Sequence, residues 1–133
     1  MSLDAIRALV QALDAAIEAR DAEALRRILH PDFAYIVPAA LPGGGVYAGP
    51  ESLIGMLEYS DGVYQRGSLR FDREPAIVDG DRAAWRFTLT ATTINGEAYT
   101  NRYACFIKVQ AGRIIEMEEL LDTLYLNRLV FKT

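Results

Sequence analysis

The segment GRIIEMEELLDT, Gly112 to Thr123, sets Glu116, Glu118, Glu119 and Asp122 among isoleucines and leucines whose spacing reads as a strand. Side chains alternate between the two faces of a strand, so Glu116, Glu118, Leu120 and Asp122 fall on one side and Ile115, Met117, Glu119 and Leu121 on the other. Glu119 is then a single carboxyl on an otherwise apolar face. Desolvation raises the pKa of such a group, and a neighbouring cation lowers it. The balance decides whether the carboxyl can move protons near neutrality.

The hairpin turns offer it a partner. Asp79-Gly80 and Asn95-Gly96 are strong hairpin signals, because both central residues of a type I′ turn need positive φ. With Asn95-Gly96 as a two-residue loop and Gln110-Ala111-Gly112 as a three-residue loop, Thr88, Tyr103 and Glu119 form one lateral row. Flanking rows hold Arg86, Cys105 and Met117, and Thr90, Asn101 and Leu121. Neighbouring strands lie about 4.8 Å apart, so Arg86 comes within reach of Glu119.

This arrangement supports two readings: a proton-transfer centre tuned by Arg86, or a structural ion pair filling a pocket. Arg86 either holds Glu119 or grips an anionic ligand. Tyr103 and Tyr35 either donate hydrogen bonds to a developing oxyanion or serve as core aromatics. Thr88, Thr90, Asn101, Cys105, Met117 and Phe71 are the expected ligand-lining residues. The opposite face would carry Trp85, Phe87, Leu89, Phe106 and Leu120 with Arg102, Glu116 and Glu118, a mixture suited to a homodimer contact.

The elements that position these residues are legible in outline. Ile6, Leu9, Val10, Leu13 and Ile17 recur at helical spacing over residues 3–20. Asp21 is placed to cap a second helix, which Pro31 stops, with His30 at its negative end. DFAYIVP, Asp32 to Pro38, reads as a strand, and AALPGGGVYAGP as a mobile loop or a pocket lid, the pocket's volume depending on how residues 41–49 close it with Tyr59, Tyr64 and Leu124. Pro50 suits the first turn of a third helix ending near Asp61-Gly62. Strands follow over about 67–78, 81–94, 97–109 and 112–121, and Asp122 can cap a final helix reaching Val130.

At 133 residues, 51% hydrophobic and 24% charged, the chain fits one globular domain over residues 1–133. A net charge of −4 with no basic stripe argues against nucleic-acid binding. No run of about 18 apolar residues suggests a membrane span, and no signal-peptide pattern opens the chain, so a cytoplasmic location is expected. One cysteine and one histidine are too few for an internal disulfide or a zinc site, so neither metal nor other cofactor is expected.

The order of helices and strands, together with LHPDFAY, GPESLIGML and the Glu-Leu-Leu-Asp-Thr ending, resembles the NTF2-like superfamily. More narrowly it resembles the SnoaL-like proteins related to ketosteroid isomerases, polyketide cyclases and limonene-epoxide hydrolases. The resemblance implies an α+β cone: a strongly curved, mainly antiparallel sheet wrapped around N-terminal helices with an internal pocket. It places Glu119 at the acid of the epoxide hydrolases, Arg86 at their arginine and Tyr35 at their tyrosine. Thr88 and Val37 stand where that group has an aspartate and an asparagine. The resulting expectation is a cofactor-independent isomerase, cyclase, dehydratase or hydrolase acting on a small hydrophobic molecule, or else a non-catalytic binding or dimerisation module of the same fold.

Overall fold

A computed structural model describes residues 1–133. Helix α1, Leu3–Ala19, starts where the Ser2 side chain accepts from the Ala5 N–H and ends at Arg20 in left-handed geometry. Its apolar stripe of Ile6, Val10 and Leu13 is buried. Helix α2, Ala22–Ile28, is capped by Asp21, whose Oδ1 accepts from Ala24 N at 3.1 Å. The chain passes directly from α2 into strand β1, Leu29–Val37. Pro31 therefore sits inside the strand, and His30 does not cap the helix: its Nδ1 accepts from Asp32 N.

Residues expected to form a loop instead supply β2, Gly45–Ala48, antiparallel to β1. Helix α3, Pro50–Asp61, has Pro50 in its first turn and buries Leu53, Ile54 and Leu57. The strand expected over 67–78 is broken into β3, Arg70–Arg73, and β4, Ile77–Asp79. Glu74-Pro75-Ala76 lies between them, where proline cannot donate to a ladder. Then come β5, Arg82–Thr92, β6, Ala98–Gln110, and β7, Arg113–Leu121. The short α4, Thr123–Leu126, is capped by Asp122 and widens into a π-type turn over Asn127–Phe131.

The sheet order is β2-β1-β7-β6-β5-β3, with β4 also on β5. Every pairing is antiparallel except β1 with β7, where Ala34, Tyr35 and Ile36 run alongside Glu116, Met117 and Glu118. The concave side packs on the helices. One buried cluster joins Leu13, Leu25, Leu29, Phe33 and Leu53 to Trp85, Ile107 and Met117, and a smaller one gathers Tyr64, Leu89, Tyr99 and Leu126. Full burial of a leucine side chain is worth about 1.5–3 kcal/mol, so these contacts hold the helices in the cone. No helix is long and apolar enough to cross a membrane.

One turn departs from expectation with a large effect. The β5–β6 connection spans Thr93 to Glu97, with Thr93 N donating to Glu97 O and only Gly96 at positive φ. It is not a two-residue type I′ loop. Thr92 pairs with Ala98, so Phe87 lies opposite Tyr103 and Trp85 opposite Cys105. A one-residue slip exchanges the faces of an entire strand. Trp85, Phe87 and Leu89 therefore point inward, whereas Arg86, Thr88 and Thr90 point outward.

The β6–β7 turn behaves differently. Ala111 and Gly112 both have positive φ, making a two-residue loop, and an irregularity at Lys108/Val109 restores the pairing parity. Cys105 then faces Glu119 and Tyr103 faces Leu121, one pair displaced from the expected rows but on the same side of the sheet.

Candidate functional site

Three strands bring polar groups to the concave face. The β1 strand contributes Tyr35, β6 contributes Tyr103, and β7 contributes Glu119. All three line a cavity of about 500 Å³. Its floor is completed by Val37 and Leu121 from the same sheet. One wall comes from α3 and the segment after it, through Met56, Tyr59, Val63 and Tyr64. The roof is built from Leu41, Pro42 and Gly43, from Tyr47 on β2, and from Leu126, Val130 and Phe131 at the C-terminal end.

The roof is tied together by hydrogen bonds. The Tyr47 hydroxyl donates to Gly43 O, and Asn127 Nδ2 donates to Ala40 O at 3.1 Å. Gly44 is required here, since a Cβ at that position would sit 2.1 Å from Pro38 O.

Glu119 is partly exposed, and what it exposes lines the cavity. Burial pushes its pKa up to about 7, and the Tyr35 hydroxyl beside it pulls the other way. No cationic side chain takes part. Tyr35 itself is raised well above the ordinary tyrosine range, first by burial and then by the neighbouring Glu119 charge. Tyr103 is raised by burial and by Tyr99. Cys105 is buried and its thiol is likewise raised, by burial and by Glu119.

Behind the cavity wall, Asn101 Nδ2 donates to the Tyr99 hydroxyl at 3.0 Å and to Asp122 O at 3.1 Å. The Tyr99 and Tyr103 hydroxyls are 2.7 Å apart. Asn101 thus orders the tyrosine pair from outside the cavity. Phe87 stacks on Tyr103 at 4.9 Å, Phe71 tilts against Phe87 at 5.7 Å, and the Arg73 guanidinium lies 4.5 Å over Phe71. Asp14 and Glu18 of α1 hold Arg73 at 3.2 Å each. The Arg73 Nε contact to Asp14 is one of charge, its angle falling short of a hydrogen bond. Burial raises Asp14 to about 6, opposed by Arg73 and reinforced by Glu18.

Of the residues singled out by sequence, Glu119, Tyr35 and Tyr103 meet in the cavity. Arg86 does not join them. It lies on the convex face in a bidentate pair with Glu74, its Nε donating at 2.6 Å, with 64% of its side chain exposed. Thr88 and Thr90 share that outer face by the same one-residue slip. Cys105, Met117 and Asn101 point inward but are packed behind the lining, and Phe71 belongs to the aromatic stack.

Trp85, Phe87 and Leu89, expected on the outer face, are inside, which leaves Phe106 and Leu120 as its large apolar residues on β6 and β7. On that face Lys108 approaches the cross-strand Glu116 at 3.7 Å. From residues 41–49, Leu41, Pro42, Gly43 and Tyr47 line the cavity, as do Tyr59 and Tyr64, and Leu126 takes the place expected of Leu124. The Asp14–Arg73 pair went unnoticed in the sequence. Asp14 does lie on the buried stripe of α1, four residues after Val10, and that spacing was its only signal. No three His, Cys, Asp or Glu side chains cluster in a way that could hold a metal ion.

Residues 9–117 match the family model of the SnoaL-like domain. No curated protein matched the sequence. Among solved structures, an NTF2-like protein of unknown function from Burkholderia pseudomallei K96243 is similar with a TM-score of 0.85 and 22% identity over 98% of each chain. A putative SnoaL-like polyketide cyclase from Jannaschia sp. CCS1 gives a TM-score of 0.76 and 17% identity, over 92% of this chain and 90% of the other. A protein of ketosteroid isomerase-like fold from Catenulispora acidiphila DSM 44928, in complex with trimethylamine, gives 0.71 and 17%, over 84% and 83%. At these identities the likeness is one of fold.

Proposed function

Since the chain belongs to the SnoaL-like domain family, we propose that it is a cofactor-independent enzyme that moves a proton on a small, largely apolar molecule, with Glu119 as the acid or base. Isomerisation, cyclisation, dehydration and hydration all fit this description. The supporting observation is that Glu119 is the one carboxyl lining a largely apolar cavity, with its pKa raised to about 7. A group with that pKa is populated in both protonation states at neutral pH, where general acid–base catalysis is most effective. Tyr35, on the neighbouring strand, orients the carboxyl, and Tyr103 faces the same space. Arg86 has no part in this proposal. The Jannaschia and Catenulispora relatives, described as a polyketide cyclase and as a complex with a small amine, agree with a small-molecule cavity.

A binding module without catalysis is the second reading. It is favoured by the hydroxyls of Tyr47 and Tyr103, which are already engaged within the protein, to Gly43 O and the Tyr99 hydroxyl. In either case the unit is one domain working in the cytoplasm as a homodimer, joined through the outer sheet face where Phe106 and Leu120 are each 45% exposed.

Exchange of α-hydrogens for deuterium in a panel of small cyclic ketones, followed by NMR in D2O, tests the base. The wild-type protein is expected to accelerate exchange over buffer, and Glu119→Gln, which keeps the shape, to abolish the acceleration. Equal rates for the two proteins would remove Glu119 from its assigned role and leave the binding module.

A further inference from the structure

The charges around the cavity are one-sided. Five of the chain's seven tyrosines line it: Tyr35, Tyr47, Tyr59, Tyr64 and Tyr103. Glu119 is the one acid among the lining residues, which include no lysine, arginine or histidine. Arg20 touches the wall from behind, its guanidinium donating to Ser60 Oγ at 3.3 Å. Its charge is paired with Asp61, to which Nε donates, and one further N–H donates to Ile17 O. Arg73 lies beyond Cys105, held by Asp14 and Glu18. Once ionised, Glu119 therefore has no counter-charge in the fold, and a buried carboxylate without one is costly. A ligand bearing positive charge supplies it, and an anionic ligand is repelled.

The tyrosines point to the same ligand chemistry. The Tyr47 and Tyr103 hydroxyls are committed to Gly43 O and the Tyr99 hydroxyl, and the Tyr35 hydroxyl is beside Glu119. Phe87 covers one face of Tyr103 and Tyr99 packs on Tyr64, so what these side chains have left to offer an occupant is the part of their ring surface that lines the cavity. The face of an aromatic ring carries the negative end of its quadrupole and attracts cations, alkylated ammonium groups among them.

We infer that the cavity receives the alkylated ammonium group of a small apolar amine, its nitrogen beside Glu119 and its alkyl groups against the tyrosine rings. The inference rests on Glu119 being the ionisable group of the cavity, as in the function proposed above, but not on its transferring a proton. The titratable and charged groups around Glu119 are Tyr35 from β1, and Tyr103 and Cys105 from β6, with Asp14 of α1 and Arg73 of β3 beyond the thiol.

Three probes of nearly equal shape test this by NMR titration of the intact protein: choline, its neutral carbon analogue 3,3-dimethylbutan-1-ol, and the anion 3,3-dimethylbutanoate. At pH 8 choline is expected to bind at least about tenfold more tightly than the alcohol, a difference of about 1.4 kcal/mol, and the anion to bind least. Choline carries a fixed charge, so a fall in its preference between pH 8 and pH 5.5 reports the protein. That preference should shrink to within about twofold in Glu119→Gln, while Arg86→Ala, on the convex face, should retain it.

Equal or tighter binding of the alcohol overturns the inference, as does a preference that survives in Glu119→Gln, or no choline binding at millimolar concentration. The deuterium-exchange experiment is read independently. A protein that exchanges ketone hydrogens but does not prefer choline keeps its proposed function and loses this ligand class.

Discussion

Replacing Glu119 with glutamine should stabilise the protein at high pH and leave it nearly unchanged at low pH. In the folded chain the pKa of Glu119 is raised from 4.5 to about 7 by burial. Between those values the native state holds a proton that the unfolded state has lost. Stability therefore falls as pH rises, by about 1.4 kcal/mol per unit while the difference persists.

The window spans about 2.5 units, which gives a loss of about 3.5 kcal/mol that is complete above the folded pKa and absent below the unfolded one. Glutamine cannot ionise and keeps the volume of the side chain. Urea unfolding of both proteins at steps from pH 4.5 to pH 8.5 isolates the effect, because the contribution of Asp14 is common to the two and cancels in the difference. The expected difference is close to zero at the acid end and grows to about 3 kcal/mol in favour of glutamine at pH 8 and above. A difference that stays flat with pH would refute the reasoning, as would a glutamine variant less stable than wild type at pH 8, since either means that Glu119 is not desolvated in its ionised form.

Arg86→Ala tests the strand faces. The pair with Glu74 is exposed, so unfolding should shift by no more than about 1 kcal/mol, and the carboxyl titration of Glu119, followed by NMR, should not move. Arg73→Met should instead push the folded pKa of Asp14 above its present value near 6 and cost about 3 kcal/mol at pH 8, because it leaves a part-buried carboxylate without its cation. Titration of the Asp14 carboxyl and urea unfolding at pH 8 measure the two effects.

The capping residues and the alternation of β7 could be read directly, because Asp21, Pro50, Asp122 and Glu119 act through local geometry that a few neighbouring residues determine. The fold itself was readable from the succession of elements and three short motifs, and the family match agrees with it. The partner assigned to Glu119 depended on something less local. Asn95-Gly96 has the residues of a tight I′ turn, yet the chain uses a longer connection from Thr93 to Glu97, and the difference of one residue moved Arg86 to the convex side. Hairpin composition states that a turn exists and leaves its length to the packing of the strands, here the burial of Trp85 and Phe87. The cavity roof was less accessible still. The β2 strand is four residues long, and Leu126, Val130 and Phe131 reach the cavity through a turn of π type that no short-range pattern announces.

The parallel seam between the first and last long strands has a consequence for how the protein comes into being. Residues 34–36 and 116–118 are about eighty positions apart in the chain, and contacts of such long range form late because closing a large loop is entropically unfavourable. Tyr35 sits on one side of that seam and Glu119 on the other. A nascent chain emerging from the ribosome can wind its helices and begin its hairpins while its cavity still lacks one side. Tyr35 and Glu119 come to line a common cavity only once the two strands have paired, so a probe of their juxtaposition would report completed maturation of the polypeptide.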